Sequence, residues 1–173
     1  TECLGHITKE FHSINQSLGH FFFKAEVITV APENLEGDFV ISDKQLKYAL
    51  GNKKREAVVV RTIPNLDIKK QAKYSNSNPP YFLKNAMDYL VAKEVSHLLV
   101  DLPSVDKEKD GGALMAHKAF WGWGGKLRVN ATITEFIYVD NAIADGSYFL
   151  NLQVAPFEND ASPSRPVLYQ PIV

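Results

Sequence analysis

Short apolar runs alternate with polar, turn-rich stretches along the chain, and the period of the apolar positions changes from one run to the next. Residues 21–30 read FFFKAEVITV, rich in β-branched and aromatic side chains, and predict a strand. Pro32, Asn34, Gly37 and Asp38 then give turn chemistry, followed by a short extended piece over 39–41. Ser42 or Asp43 is placed to start a helix that runs to Leu50 with Leu46, Ala49 and Leu50 on one stripe, and Gly51-Asn52 ends it. AVVVRT, residues 57–62, is a continuous apolar run and predicts a strand buried on both faces. A long polar loop follows. Pro80 is predicted at the first position of a helix over 81–94, where Phe82, Ala86, Tyr89, Leu90 and Lys93 recur at three-to-four spacing. HLLVD, residues 97–101, is the next strand, so strand, helix and strand form a parallel crossover. A short helix is predicted over 114–121 and strands over 127–139 and 147–155, with a Pro-rich extended tail. The pattern is that of an α/β chain: one domain over 1–173, a mixed β-sheet and flanking helices.

Composition narrows the partners more than the chemistry. The net charge of −1 gives no basic surplus for a nucleic-acid partner. The apolar run at 21–30 is interrupted by Lys24 and Glu26, and no run reaches the roughly 18 to 20 residues of a membrane helix. The N-terminus has no basic-then-apolar leader, and the single Cys3 allows no internal disulfide. A cytoplasmic location is the expectation. No GxGxxG, GxxxxGK[ST], GxSxG or CxxC occurs, which removes the common nucleotide, serine-hydrolase and thiolate-zinc signatures.

The residues with candidate chemistry are distant in sequence. His117 opens an aromatic segment and admits two readings, a hydrogen-bonded structural imidazole or a metal ligand. Glu135 lies in an apolar run; facing inward it needs a cation or a partner, and facing outward it is ordinary. Glu2 and His6 stand at i, i+4 spacing. Asp101 ends a strand at its C-terminal end, either at a site or as a local cap. Asp106 and the run DKEKD read as a solvated loop, and Arg61 as an anion ligand or an ion-pair partner. Cys3 beside His6 is a conceivable nucleophile, but nothing marks the thiol as activated. WGWGG, residues 121–125, reads as a core turn or as a carbohydrate-stacking surface.

VVVRT, the stretch PPYFLKNAMDYLVAKEVSHLLVDLPSVD, HKAFW, and the C-terminal run from TEFIYVD through SPSRPVLYQPI resemble, in order and spacing, the cyclase-like metal-dependent hydrolases. That family includes kynurenine formamidase and isatin hydrolase. Its swivelling β/β/α fold is what the resemblance implies here. TECLGH resembles the second half of the family's metal signature HxGTHxDxPxH, with Glu2 at the Asp position, Leu4 at the Pro position and His6 at the final His. The first half of that signature would precede Thr1, so the chain is expected to lack its N-terminal part.

The resemblance implies a metal-activated water attacking the carbon–nitrogen bond of an arylformamide or cyclic amide. It assigns Glu2, His117 and Glu135 as ligands of Zn2+, or alternatively Mn2+, in a binuclear site, and His6 as the catalytic proton carrier. Phe120 and Trp121 are expected as an apolar wall for the aryl group. The partner is a small-molecule amide, and a homodimer or homotetramer is the implied assembly. Glu in place of Asp lengthens one ligand by a methylene and keeps a second reading open, an inactive or metal-free binding protein with the same fold.

Overall fold

The computed structural model describes residues 1–170; the last three residues of the predicted extended tail, 171–173, lie outside the described residues. Its centre is a six-stranded sheet. In chain order the strands are β1 (Phe22–Val30), β4 (Ala57–Thr62), β6 (His97–Val100), β7 (Thr132–Thr134), β8 (Gly146–Asn151) and β9 (Val167–Tyr169); β2 (Glu33–Leu35), β3 (Asp38–Ile41) and β5 (Tyr81–Phe82) form a small second sheet. The spatial order is β7-β6-β4-β1-β8-β9. β1, β4, β6 and β7 are parallel, and β8 and β9 run antiparallel at the other edge. β4 is buried along its whole length, as a continuous apolar run in the middle of a sheet should be.

The helices are α1 (Ile14–Ser17), α2 (Asp43–Leu50), α3 (Lys84–Ala92) and α4 (Met115–Phe120). α2, α3 and α4 cover one face of the sheet, where Leu46, Leu50, Met87, Leu90 and Phe120 pack with Val58, Val60, Leu98 and Ile133. α2 begins where its sequence predicts: the Gln45 side chain accepts a hydrogen bond from the Ser42 N–H at 2.5 Å, and Gly51 closes the helix at φ 55°. The other face packs against the N-terminal segment through Cys3, Ile14 and Leu18 and against Val139 and Leu152. Among the described residues, no helix is long and apolar enough to cross a membrane.

Two predicted elements differ. The helix expected from Tyr81 starts at Lys84, because Phe82 N–H donates to Val105 and Leu83 N–H to Ile41, which holds 81–83 extended beside β3. The strand expected over 127–139 shrinks to Thr132–Thr134. After it, Phe136 takes a left-handed φ of 56°, and its N–H and that of Ile137 turn to Leu102 and Val100. That break directs the chain so that Glu135 lies inward and Phe136 is exposed.

Candidate metal centre

The site forms at the C-terminal ends of β6 and β7. The N-terminal segment enters it as a single extended residue. Glu2 N–H donates to Ile133 at 2.8 Å and Ile133 N–H donates back to Glu2 at 3.1 Å, while Glu2 also bridges Ala161. This pins Glu2 beside β7, opposite Ile133, which lies two residues from Glu135. The chain then makes a tight turn over Leu4–His6. Gly5 is required there: a Cβ would stand 2.4 Å from the His12 carbonyl oxygen. The turn returns His6 towards Glu2, with Nδ1 at 3.4 Å from Glu2 Oε2 and 3.3 Å from Asp160 Oδ2.

His117 comes from the other side, in the middle of α4, and is buried. Asp106 fixes it three times over. Its carboxylate accepts from the Ala116 N–H at 2.6 Å and the His117 N–H at 3.2 Å, capping α4, and Oδ2 lies 2.5 Å from His117 Nδ1. The opposite ring nitrogen, Nε2, faces Glu2 Oε1 at 2.8 Å and Glu135 Oε1 at 3.6 Å. Glu135 Oε1 also accepts from the Val105 N–H at 2.8 Å. Trp121, four residues on along α4, stacks on the His117 ring at 5.5 Å between centroids.

The charges in this cluster do not balance. Three carboxylates, from Glu2, Asp106 and Glu135, surround one buried imidazole. Burial works against a charge on His117, but hydrogen bonds donated by its ring to Asp106 and Glu2, with the charges of Glu2 and Glu135, overcome it and push its pKa up to about 10. Burial and the Glu2 charge also push the Glu135 pKa up, to about 7, against the pull of His117. Burial also opposes ionisation of Asp106, yet its contacts with His117 and the α4 N–H groups hold its pKa down.

A divalent cation suits this arrangement. Glu2, His6 and His117 each present a ligand atom, all within 4.8 Å of one another, and Glu135 adjoins them through His117. A carboxylate on Nδ1, with Nε2 turned toward other candidate ligands, is the outer-shell pattern of a metal-binding histidine. Imidazole and carboxylate donors together suit a divalent metal ion. The described residues form one such cluster.

The structure thus brings Glu2 and His6 together with His117 and Glu135, more than a hundred residues away in the sequence. Phe120 and Trp121 are corrected: both are fully buried, because α4 turns them into the helix-covered core, and neither offers a wall to a substrate. Asp106 is the residue missed. It is buried rather than solvated, and its signal was its place at the end of the Asp-x-Pro-Ser-x-Asp turn. Asp160, beside His6, carried no signal in the sequence.

The other candidates have structural roles. Asp101 accepts from the Thr62 N–H and hydroxyl and from Lys69, and Arg61 holds the 140–145 loop through Asp140, Ile143 and Asp145. Cys3 is buried with its thiol pKa pushed up by that burial, which is the wrong direction for a nucleophile.

The Cyclase family model matches residues 1–107, a stretch that includes Glu2, His6 and Asp106. No curated protein matches the chain. Among solved structures, one described as a potential metal-dependent hydrolase with cyclase activity has a TM-score of 0.68 at 14% identity, covering 96% of this chain and 75% of its own. An isatin hydrolase bound to the product analogue thioisatinate has a TM-score of 0.68 at 18% identity, covering 99% and 70%. A predicted metal-dependent hydrolase from Bacillus stearothermophilus has a TM-score of 0.64 at 14% identity, covering 96% and 73%. At these identities the shared property is the fold, a mixed sheet with flanking helices. The family match spans well over half of the chain, and the chain belongs to the Cyclase family.

Proposed function

We propose that this chain is a metal-dependent hydrolase that cleaves the carbon–nitrogen bond of an arylformamide or cyclic amide. The observation that carries this reading is the run of contacts from Asp106 through His117 to Glu2 and Glu135, a buried surplus of negative charge around one imidazole. Family membership and the fold shared with an isatin hydrolase support it. In this reading Glu2, His117 and Glu135 hold zinc, with manganese as the alternative. Such an ion supplies Lewis acidity, lowering the pKa of a water and polarising a carbonyl.

The chain's own residues do the remainder. Asp106 keeps the His117 ring in one orientation and one tautomer, with Nε2 toward the ligands. His6 is half-exposed, and Glu2 and Asp160 both address its Nδ1. Its Nε2 is then the atom that takes a proton from the attacking water and returns it to the leaving nitrogen. The buried face formed by Trp121 keeps solvent from the far side of His117.

The test is hydrolysis of N-formylkynurenine by protein supplemented with zinc or manganese, beside His117→Ala. Activity in the parent and none in the variant supports the reading; equal rates remove His117 from the site.

One observation favours a second reading. The 2.8 Å contact from His117 Nε2 to Glu2 Oε1 lets the cluster close as an ion pair, as in a metal-free binding protein with the cyclase fold. Failure to bind zinc or manganese would support that alternative.

A further inference from the structure

The face of the sheet opposite the helices leaves a cavity of about 480 Å3, within the range of roughly 300 to 1,000 Å3 typical of small-molecule sites. Val59, Leu99, Ile143 and Leu150 make its apolar wall. Two charged side chains line it, Glu135 and Arg165. Glu135 belongs to the candidate metal cluster, so the cavity opens directly beside that cluster.

The two charged residues are held in register by hydroxyl groups. Thr1 Oγ1 lies 2.7 Å from Thr134 Oγ1 and 2.6 Å from Ser164 Oγ. Thr134 precedes Glu135 and Ser164 precedes Arg165, so one threonine ties the two chain segments that carry the cavity's charges. Arg61, which is buried, and Lys69, which is partly buried, spend their donors on protein acceptors. Arg165 is exposed and, among the described residues, has no ion-pair partner.

An apolar cavity with a carboxylate at the cluster and a guanidinium elsewhere on its lining is polar in a definite sense. The carboxylates of the cluster repel an anionic substituent, and the planar fork of an arginine accepts a carboxylate through two parallel hydrogen bonds. We propose that the cavity binds the aryl part of the substrate and that Arg165 reads a carboxylate on that ring, making N-acylated aminobenzoates the substrate class. The scissile amide then points toward Glu135 and the cluster. This rests on the hydrolase reading for its chemistry, but its binding component does not.

The experiment uses the full chain with zinc present and compares binding of anthranilate and aniline by calorimetry, in the parent, Arg165→Lys and Arg165→Met. The expected result is anthranilate bound at least about tenfold more tightly than aniline in the parent, a gap removed by Arg165→Met and partly kept by Arg165→Lys. Equal binding of the two ligands overturns the proposal. So does an anthranilate affinity unchanged in Arg165→Met, which would place the carboxylate on the metal instead. Hydrolysis of N-formylanthranilate and formanilide is measured in parallel. Selective binding without hydrolysis of either would leave the anion site standing and sink the hydrolase reading, so the two ideas fail separately.

Discussion

Asp106 Oδ2 sits 2.5 Å from His117 Nδ1, and the same carboxylate caps the helix that carries the histidine. One side chain therefore sets the position, the tautomer and the basicity of the central imidazole. Asp106→Asn keeps the size and removes the charge. We expect zinc affinity to fall about 10- to 100-fold by competition titration. Loss of the negative charge at the α4 N-terminus should also cost about 0.3–1 kcal/mol, read as a slightly lower thermal midpoint. Unchanged zinc affinity would remove Asp106 from the metal's support.

His117 gives a pH dependence with a definite sign. In chelator-treated protein its pKa is raised to about 10 in the folded state. A raised imidazole pKa means the folded state holds the proton more tightly than the unfolded one. The stability it contributes is fully present below about pH 6.5 and is lost as pH rises through about 10. Glu135, also raised, acts in the same direction from its own lower window. The thermal midpoint should therefore fall between pH 7 and 10, and His117→Gln should flatten that fall. A midpoint that rises over this window would contradict the charge arrangement.

The same proton competes with metal. Binding at His117 Nε2 requires the ring nitrogen to be free, so metal uptake releases protons. Apparent zinc affinity should rise from pH 6 to 8, by up to about tenfold per pH unit for each proton released. An affinity independent of pH would show that Nε2 is not a ligand.

Gly5 links backbone space to the site. A Cβ there meets the His12 carbonyl at 2.4 Å, and the chain must shift. Gly5→Ala should destabilise the fold by about 1–3 kcal/mol and lower the rate more than zinc content, because His6 moves while His117 and Glu135 stay. Gly19→Ala, where the added Cβ meets nothing, is the control.

The core and its layers were readable because they depend on local pattern. AVVVRT predicted a doubly buried strand and is one, and the Ser42 and Gly51 signals bound α2 as expected. Tyr81–Leu83 misled because its helical spacing was overridden by hydrogen bonds to Val105 and Ile41, which lie far away in sequence. Phe120 and Trp121 misled for a related reason: which side of a six-residue helix meets the core is decided by packing, and the sequence records only that both are aromatic. Asp106 was hidden among charged neighbours in DKEKD, and only the fold shows that it turns inward while Lys107 turns out to Asp38. Glu2, His6, His117 and Glu135 stood out by residue type, with ordinary structural readings open, and took their roles from the family resemblance. Their convergence depends on the extended pairing of Glu2 with Ile133, a contact no local pattern announces.

Zinc content after exhaustive dialysis, measured for the parent and for Glu2→Gln and His117→Ala, tests the central claim most directly. We expect about one bound ion per chain in the parent, at the N and O donors described, and loss of that ion in both variants with the fold retained by circular dichroism. A parent that binds no zinc or manganese, or variants that bind as the parent does, would contradict it.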